Sequence, residues 1–156
     1  MNETESTITY RRNTAGTAQI ADHLRACSHL FRPPLHEKID IDAYAEKMFR
    51  HAERFEAWDP AENIPVGLVC AYFNDPEKQH GFITNVSTLG AHSGRGIGFA
   101  LMTQCVQYGA GQGFADIRLE VHPQSDAAIR LYRKFGFETL ETTPTTVAMR
   151  LNIPQM

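Results

Sequence analysis

Three glycines at alternate positions, in Ser93-Gly94-Arg95-Gly96-Ile97-Gly98, form the part of this chain best suited to holding a ligand. They follow a polar–apolar alternation from Phe82 to Leu89 and precede a helical pattern running to Gly111. A glycine-rich turn entering a helix aims several backbone N–H groups at one point. The missing Cβ atoms let a ligand reach the backbone, and the helix start adds partial positive charge. Phosphate or pyrophosphate is the ligand such a turn favours. A triphosphate site is excluded, because the turn lacks the Gly-Lys-Ser/Thr ending that engages the phosphates and Mg²⁺.

The other reactive residue types are dispersed. Seven histidines are scattered along the chain, and none pairs with a Cys or a second His at a ligand spacing, so no metal site is expected. Cys27, Cys70 and Cys105 are far apart, in segments that read as helix, strand and helix. They are expected as buried small hydrophobes of a reducing cytoplasm, not as disulfides or nucleophiles. A net charge of -3, with no basic run interleaved with aromatics, excludes a nucleic-acid footprint. Met1 to Thr9 is polar and no apolar stretch approaches a membrane span, so a cytoplasmic protein is expected.

The elements that must position the turn follow from periodicity. The chain of 156 residues carries no repeat or linker-like stretch and reads as a single domain, 1–156. A short strand is expected at Ile8 to Arg11, and a helix at Thr14 to Leu30 with Thr14 as N-cap. Phe31 to His36 must be loop, since Pro33 and Pro34 cannot extend a helix. A helix from Ile41 to Glu53 follows, then strands at Arg54–Trp58, Val66–Phe73 and Phe82–Leu89. After the glycine turn come a helix Gly98–Gly111, a strand Asp116–His122, and a helix Ser125–Phe135 with Ser125 as N-cap and Gly136 as its stop. Strands Phe137–Glu141 and Thr146–Leu151 end the chain. The order β-α-α-β-β-β-α-β-α-β-β predicts an α/β (α+β) sheet with helices packed on it. Phe49, Phe55 and Trp58 are expected in the core, and Glu46, Glu53, Glu56, Asp59 and Glu62 on a solvated face.

Two motifs on these elements resemble the GNAT superfamily of acyl-CoA-dependent N-acetyltransferases. Ser93-Gly94-Arg95-Gly96-Ile97-Gly98 is similar to the family's Arg/Gln-x-x-Gly-x-Gly/Ala loop, with Ser93 at the first position. Leu119-Glu120-Val121, Ser125, Ala128, Leu131-Tyr132 and Gly136-Phe137 resemble its strand-to-helix pattern ending in Leu-Tyr-x-x-x-Gly-Phe, with Ser125 where the family usually has Asn. The resemblance implies a mixed, mostly antiparallel sheet of about seven strands with about four helices, and acetyl-CoA as cosubstrate. It implies that the strands carrying Thr88 and Ile117 splay at their C-terminal ends and admit the pantetheine arm as an added strand. Val86, Thr88, residues 93–98, Ser125 and Tyr132 would then line the cofactor, with a backbone N–H near Thr88 polarising the thioester carbonyl.

Site roles follow from the same resemblance. Tyr132 matches the family's leaving-group acid, the alternative being a core tyrosine between helix and sheet. Glu120 stands twelve residues before it, similar to the base–acid separation of ribosomal-protein N-terminal acetyltransferases. A solvated Glu120, or one paired with Arg118 or Arg130, is the other reading. His122 is a weaker base candidate. Phe31 and His36, with Tyr72 and Asn74, are the expected acceptor contacts. The function implied is acetyl transfer from acetyl-CoA to a primary amine by direct attack in a ternary complex, with a small molecule as acceptor and a homodimer compatible with the fold. A protein N-terminus or lysine is the alternative acceptor. A non-catalytic acyl-CoA-binding module is the alternative of another class, drawn from Ser93, Ser125 and the lack of a base on Phe82–Leu89.

Overall fold

Residues 7–154 are described by the computed structural model, so the N-terminal stretch read as polar lies mostly outside the described residues. Strands β1 (Thr9–Arg12), β2 (Glu53–Asp59), β3 (Ile64–Tyr72), β4 (His80–Thr88), β5 (Asp116–Val121), β6 (Glu138–Thr142) and β7 (Val147–Asn152) alternate with helices. The helices are α1 (Thr17–Cys27), the short α2 (Leu35–Lys38), α3 (Ile41–His51), α4 (Ile97–Gly111) and α5 (Asp126–Phe135). The strands form one sheet in the order β1-β2-β3-β4-β5-β7-β6. Every neighbouring pair is antiparallel except β4–β5. That is the mixed seven-stranded architecture expected from the sequence, with α2 added where a loop was read. Among the described residues no helix is long and apolar enough to cross a membrane.

Strand alternation divides the core into two layers. Leu101 and Met102 of α4 and Tyr132 of α5 pack with Ile83, Ile117, Leu119 and Met149 on one face. Ile20 and Leu24 of α1 and Ala45 and Met48 of α3 pack with Trp58, Leu68 and Cys70 on the other. Gly136, at φ 102°, ends α5 in the left-handed conformation that glycine adopts freely.

Three expectations are corrected here. Thr14 does not cap α1, whose N-cap is Gly16, with the Gln19 Oε1 accepting the Gly16 N–H at 3.0 Å. Thr14 instead donates its hydroxyl to Glu56 at 2.6 Å. Glu56 is not on a solvated face but wholly buried, and it also accepts from the backbone N–H groups of Thr14 and Ala15 and from the Trp58 indole. Asp59 is buried too. Phe49 is 45% exposed and lies under the Arg54 guanidinium, while Phe55 and Trp58 are core as expected.

Candidate active site

The β4–β5 pairing runs from His80–Asp116 to Ile83–Leu119 and stops there, although both strands continue. From Thr84 to Thr88, β4 therefore has β3 on one side and no strand on the other. The parting expected near the strand ends is present, and Ile117 lies just below it, still opposite Gly81. Its cause is local. Cys70 pairs with Asn85 and Ala71 with Ile83, so Thr84 is an extra residue in β4. Such a bulge bends and over-twists its strand, here at the point where β4 leaves β5. The Tyr44 hydroxyl of α3 holds the bulge, donating to the Thr84 carbonyl at 2.7 Å and meeting its Oγ1 at 2.6 Å.

The glycine turn follows the parted strand. A short 3₁₀ turn, Gly90–His92, leads to Gly94 at φ 81° and Gly96 at φ 79°, and α4 begins at Ile97. Ser93 closes the turn by donating to the Gly90 carbonyl at 2.9 Å, and Arg95 reaches back to His92. Among the described residues no side chain caps α4. Nothing among the described residues lies within 4 Å of where a Cβ would stand on Gly94 or Gly96, so the turn is a cradle open to a ligand. Left-handed glycines, uncapped amides and empty space fit a diphosphate.

Tyr132 belongs to the layer on the α4/α5 side of the sheet, and Glu120, on β5 just past its last pair with β4, faces the other side. Tyr132, 6% exposed, packs against Phe137 in the α4/α5 layer, and burial raises its pKa. Leu119 belongs to that same layer, so the next residue, Glu120, points to the α1/α3 face. Glu120 is exposed and lies opposite the small Ala148 of β7. Ser125 sits at the N-cap position of α5, but its side chain makes no cap bond. His122 accepts the Gln124 N–H in a turn. The three cysteines are buried, and burial pushes the Cys27 thiol up to about 11 and Cys105 to about 12. Among the described residues no three His, Cys, Asp or Glu side chains group as metal ligands.

The expected acceptor contacts separate. The His23 ring of α1 meets the Pro65 carbonyl and Ser87 hydroxyl at the parted end of the sheet, so the segment after α1 continues at that end. Phe31 there is partly buried against the α1/α3 core, and His36 is tied to the Ser28 hydroxyl at 2.8 Å. Tyr72 lies on the α1/α3 face opposite Phe82, with its hydroxyl buried and unpartnered among the described residues. Asn74 lies past the far end of β3 and donates to the last carbonyl of α3, His51. It does not join the gap.

Sequence reasoning passed over Tyr44, Thr84 and a buried chain beside them. Asn85 donates to Ser87 at 3.0 Å, and Ser87 meets His23 Nε2 at 2.9 Å. Burial lowers the His23 pKa to about 4, and its Nδ1–H is directed at the Pro65 carbonyl. The available signal was the crowd of polar residues, Thr84, Asn85, Ser87 and Thr88, in what must be an inner strand.

Comparison with known proteins identifies the family and the fold. The acetyltransferase (GNAT) family pattern matches residues 18–137. Probable N-acetyltransferase san of Drosophila melanogaster is 32% identical over 82 residues, which are 51% of this chain and 45% of that protein. The match thus spans less than half of that relative's length. The ribosomal-protein-S18-alanine N-acetyltransferase of Escherichia coli superposes with a TM-score of 0.75 at 20% identity, covering 96% of both chains. PaiA N-acetyltransferase of Thermoplasma acidophilum, solved in complex with coenzyme A, superposes at 0.69 with 15% identity, covering 94% of this chain and 99% of that one. At these identities the superpositions establish the fold.

Proposed function

The chain belongs to the acetyltransferase (GNAT) family and carries the domain of an acetyl-CoA-dependent N-acetyltransferase, and we propose that it passes the acetyl group directly to the primary amine of a small molecule. The observation that carries this is the gap between β4 and β5, with Tyr132 on one face and Glu120 on the other. In this reading the cosubstrate lies on the α4/α5 side, its diphosphate on the backbone of residues 93–98 and its arm along the open edge of β4 at Val86 and Thr88. A backbone N–H near Thr88 meets the carbonyl oxygen as charge develops on it. The amine enters from the α1/α3 side, where Glu120 accepts its proton directly or through water. Tyr132, protonated at neutral pH, donates to the leaving sulfur as it becomes negative. Buried cysteines with raised pKa values give an acyl-cysteine step no nucleophile.

The preference for a small acceptor rests on the footprint beside Glu120. Tyr72, Phe82 and Arg118 are successive partners on β3, β4 and β5, within two strand spacings, about 10 Å, and Glu120 stands one pleat repeat, about 7 Å, further along β5. That suits one small molecule better than an extended peptide. The second reading, a protein N-terminus, is favoured by the twelve-residue separation of Glu120 and Tyr132 and by what the E. coli enzyme's name says it acts on. Thiol release from acetyl-CoA, followed over a panel of small amines and N-terminal peptides, tests both. Turnover with small amines supports the first reading, and turnover confined to peptides replaces it. A chain that binds acetyl-CoA but acetylates neither set is a binding module.

A further inference from the structure

Strand pairing extends the row of Tyr72 and Phe82 across the α1/α3 face to two arginines that the proposed transfer does not yet use. Tyr72 of β3 lies opposite Phe82 of β4, Phe82 opposite Arg118 of β5, and Arg118 opposite Arg150 of β7. Directly paired residues point to the same face, so two arginines stand side by side next to an aromatic ring that is 37% exposed. Like charges directly opposite are destabilising unless something neutralises them. Their present partners do so weakly. Arg118 reaches the Asp116 Oδ2 only at 3.4 Å, and that carboxylate also serves His80. Arg150 approaches Glu138 at 3.7 Å, beyond hydrogen-bond distance, and its Nε is buried without a partner among the described residues.

The pair stands one pleat repeat, about 7 Å, from Glu120 along the same strand and on the same face. Ala148, opposite Glu120, leaves that step of the sheet unfilled. Resting on the reading of this face as the acceptor side, we propose that the acceptor is an amino carboxylate. Its ammonium group meets Glu120, its carboxylate lies between the Arg118 and Arg150 guanidinium groups, and Phe82 supports its apolar part. A guanidinium presents a fork of donors that matches a carboxylate, and two forks fix the molecule's direction on the sheet. The amine is thereby turned toward the gap. An amine without an acid group leaves the two cations with only the distant carboxylates of Asp116 and Glu138 and binds worse.

Matched acceptor pairs test this: phenylalanine against phenethylamine, leucine against isopentylamine, and 4-aminobutyrate against butylamine, each followed as thiol released from acetyl-CoA. In at least one pair the acid is expected to win by tenfold or more in kcat/KM, with most of the difference in KM. That ratio should fall toward one in Arg118→Gln and Arg150→Gln and largely persist in Arg118→Lys and Arg150→Lys, which keep the charge. A purely structural role for the arginines would not move the ratio. Equal or better turnover of the plain amine in every pair, or a preference that survives both Gln variants, overturns the assignment while leaving acetyl transfer in place. If no amine of any kind is acetylated, the transfer reading falls and this inference falls with it.

Discussion

Glu56 and Glu120 are glutamates on inner strands, both facing the α1/α3 side, and the protein treats them in opposite ways. Glu56 of β2 is sealed under the loop before α1, where two backbone amides, a hydroxyl and an indole donate to it and Arg54 stands 3.7 Å away. Arg54 in turn donates to the carbonyls of Met48, Phe49 and Ala52 at the end of α3, so the pair ties three elements together. Glu120 of β5 is exposed, one residue past the last β4–β5 pair. A carboxylate saturated with donors has no lone pair to offer a substrate. One left open at a parted strand keeps its capacity to take a proton. Residue type is the same, and the number of donors the fold supplies separates a structural carboxylate from the one to which the proposed transfer assigns the base role.

The largest test of that division is Glu56→Ala. Removing one partner of a buried ion pair leaves Arg54 uncompensated, and a loss of about 3–5 kcal/mol in denaturant unfolding is expected. A loss under 1 kcal/mol would mean that the buried charge is dispensable, and the contrast would fail.

Tyr132→Phe probes the open side next. The ring and its packing remain and the proton donor goes, so turnover should fall by about 10²-fold with acetyl-CoA affinity little altered. Unchanged kcat with chemistry shown to be rate-limiting would move Tyr132 to the structural side of the comparison.

His23 sharpens the buried side by pH. Its folded pKa of about 4 lies below the ordinary 6.5, so the fold holds the neutral ring. That stability is complete above pH 6.5 and is lost as pH falls toward 4, by about 2 kcal/mol between pH 7 and 5. Urea unfolding should show this loss in the natural protein and a flatter limb in His23→Gln. Parallel limbs in the two would place the acid sensitivity elsewhere.

The smallest effect on stability is expected for Glu120→Gln, within about 0.5 kcal/mol, as for exposed positions generally. Its rate should drop at neutral pH and recover in part as rising pH deprotonates the acceptor itself. A variant that loses stability but keeps the natural pH–rate profile would make Glu120 a second Glu56.

What could be read from the sequence were features whose backbone geometry demands particular residues. Gly94 and Gly96 hold positive φ, and Gly136 stops α5, so turn and helix were legible together. The family resemblance implied a mixed sheet of about seven strands, but not the order in which the strands stand. Glu56 was not legible, because its donors at Thr14 and Ala15 are 42 and 41 residues away and a strand glutamate among apolar neighbours resembles any solvated one. The Arg118–Arg150 pair was hidden for a topological reason. β5 pairs with β7 across the intervening β6, so two residues far apart in sequence become neighbours only once that crossover is known.

Thr84 shows how little separates a filled sheet from a working one. Deleting it would leave Ile83 opposite Ala71 and Asn85 opposite Cys70, the pairs already present, so every later side chain of β4 would keep its face. Only the kink would vanish, and with it the anchor for Tyr44. A straightened β4 could then go on zipping to β5 past Leu119, completing an uninterrupted sheet in which the slot is closed. The slot thus hangs on one residue more than the β3–β4 ladder needs, and its presence leaves the register on either side of it intact.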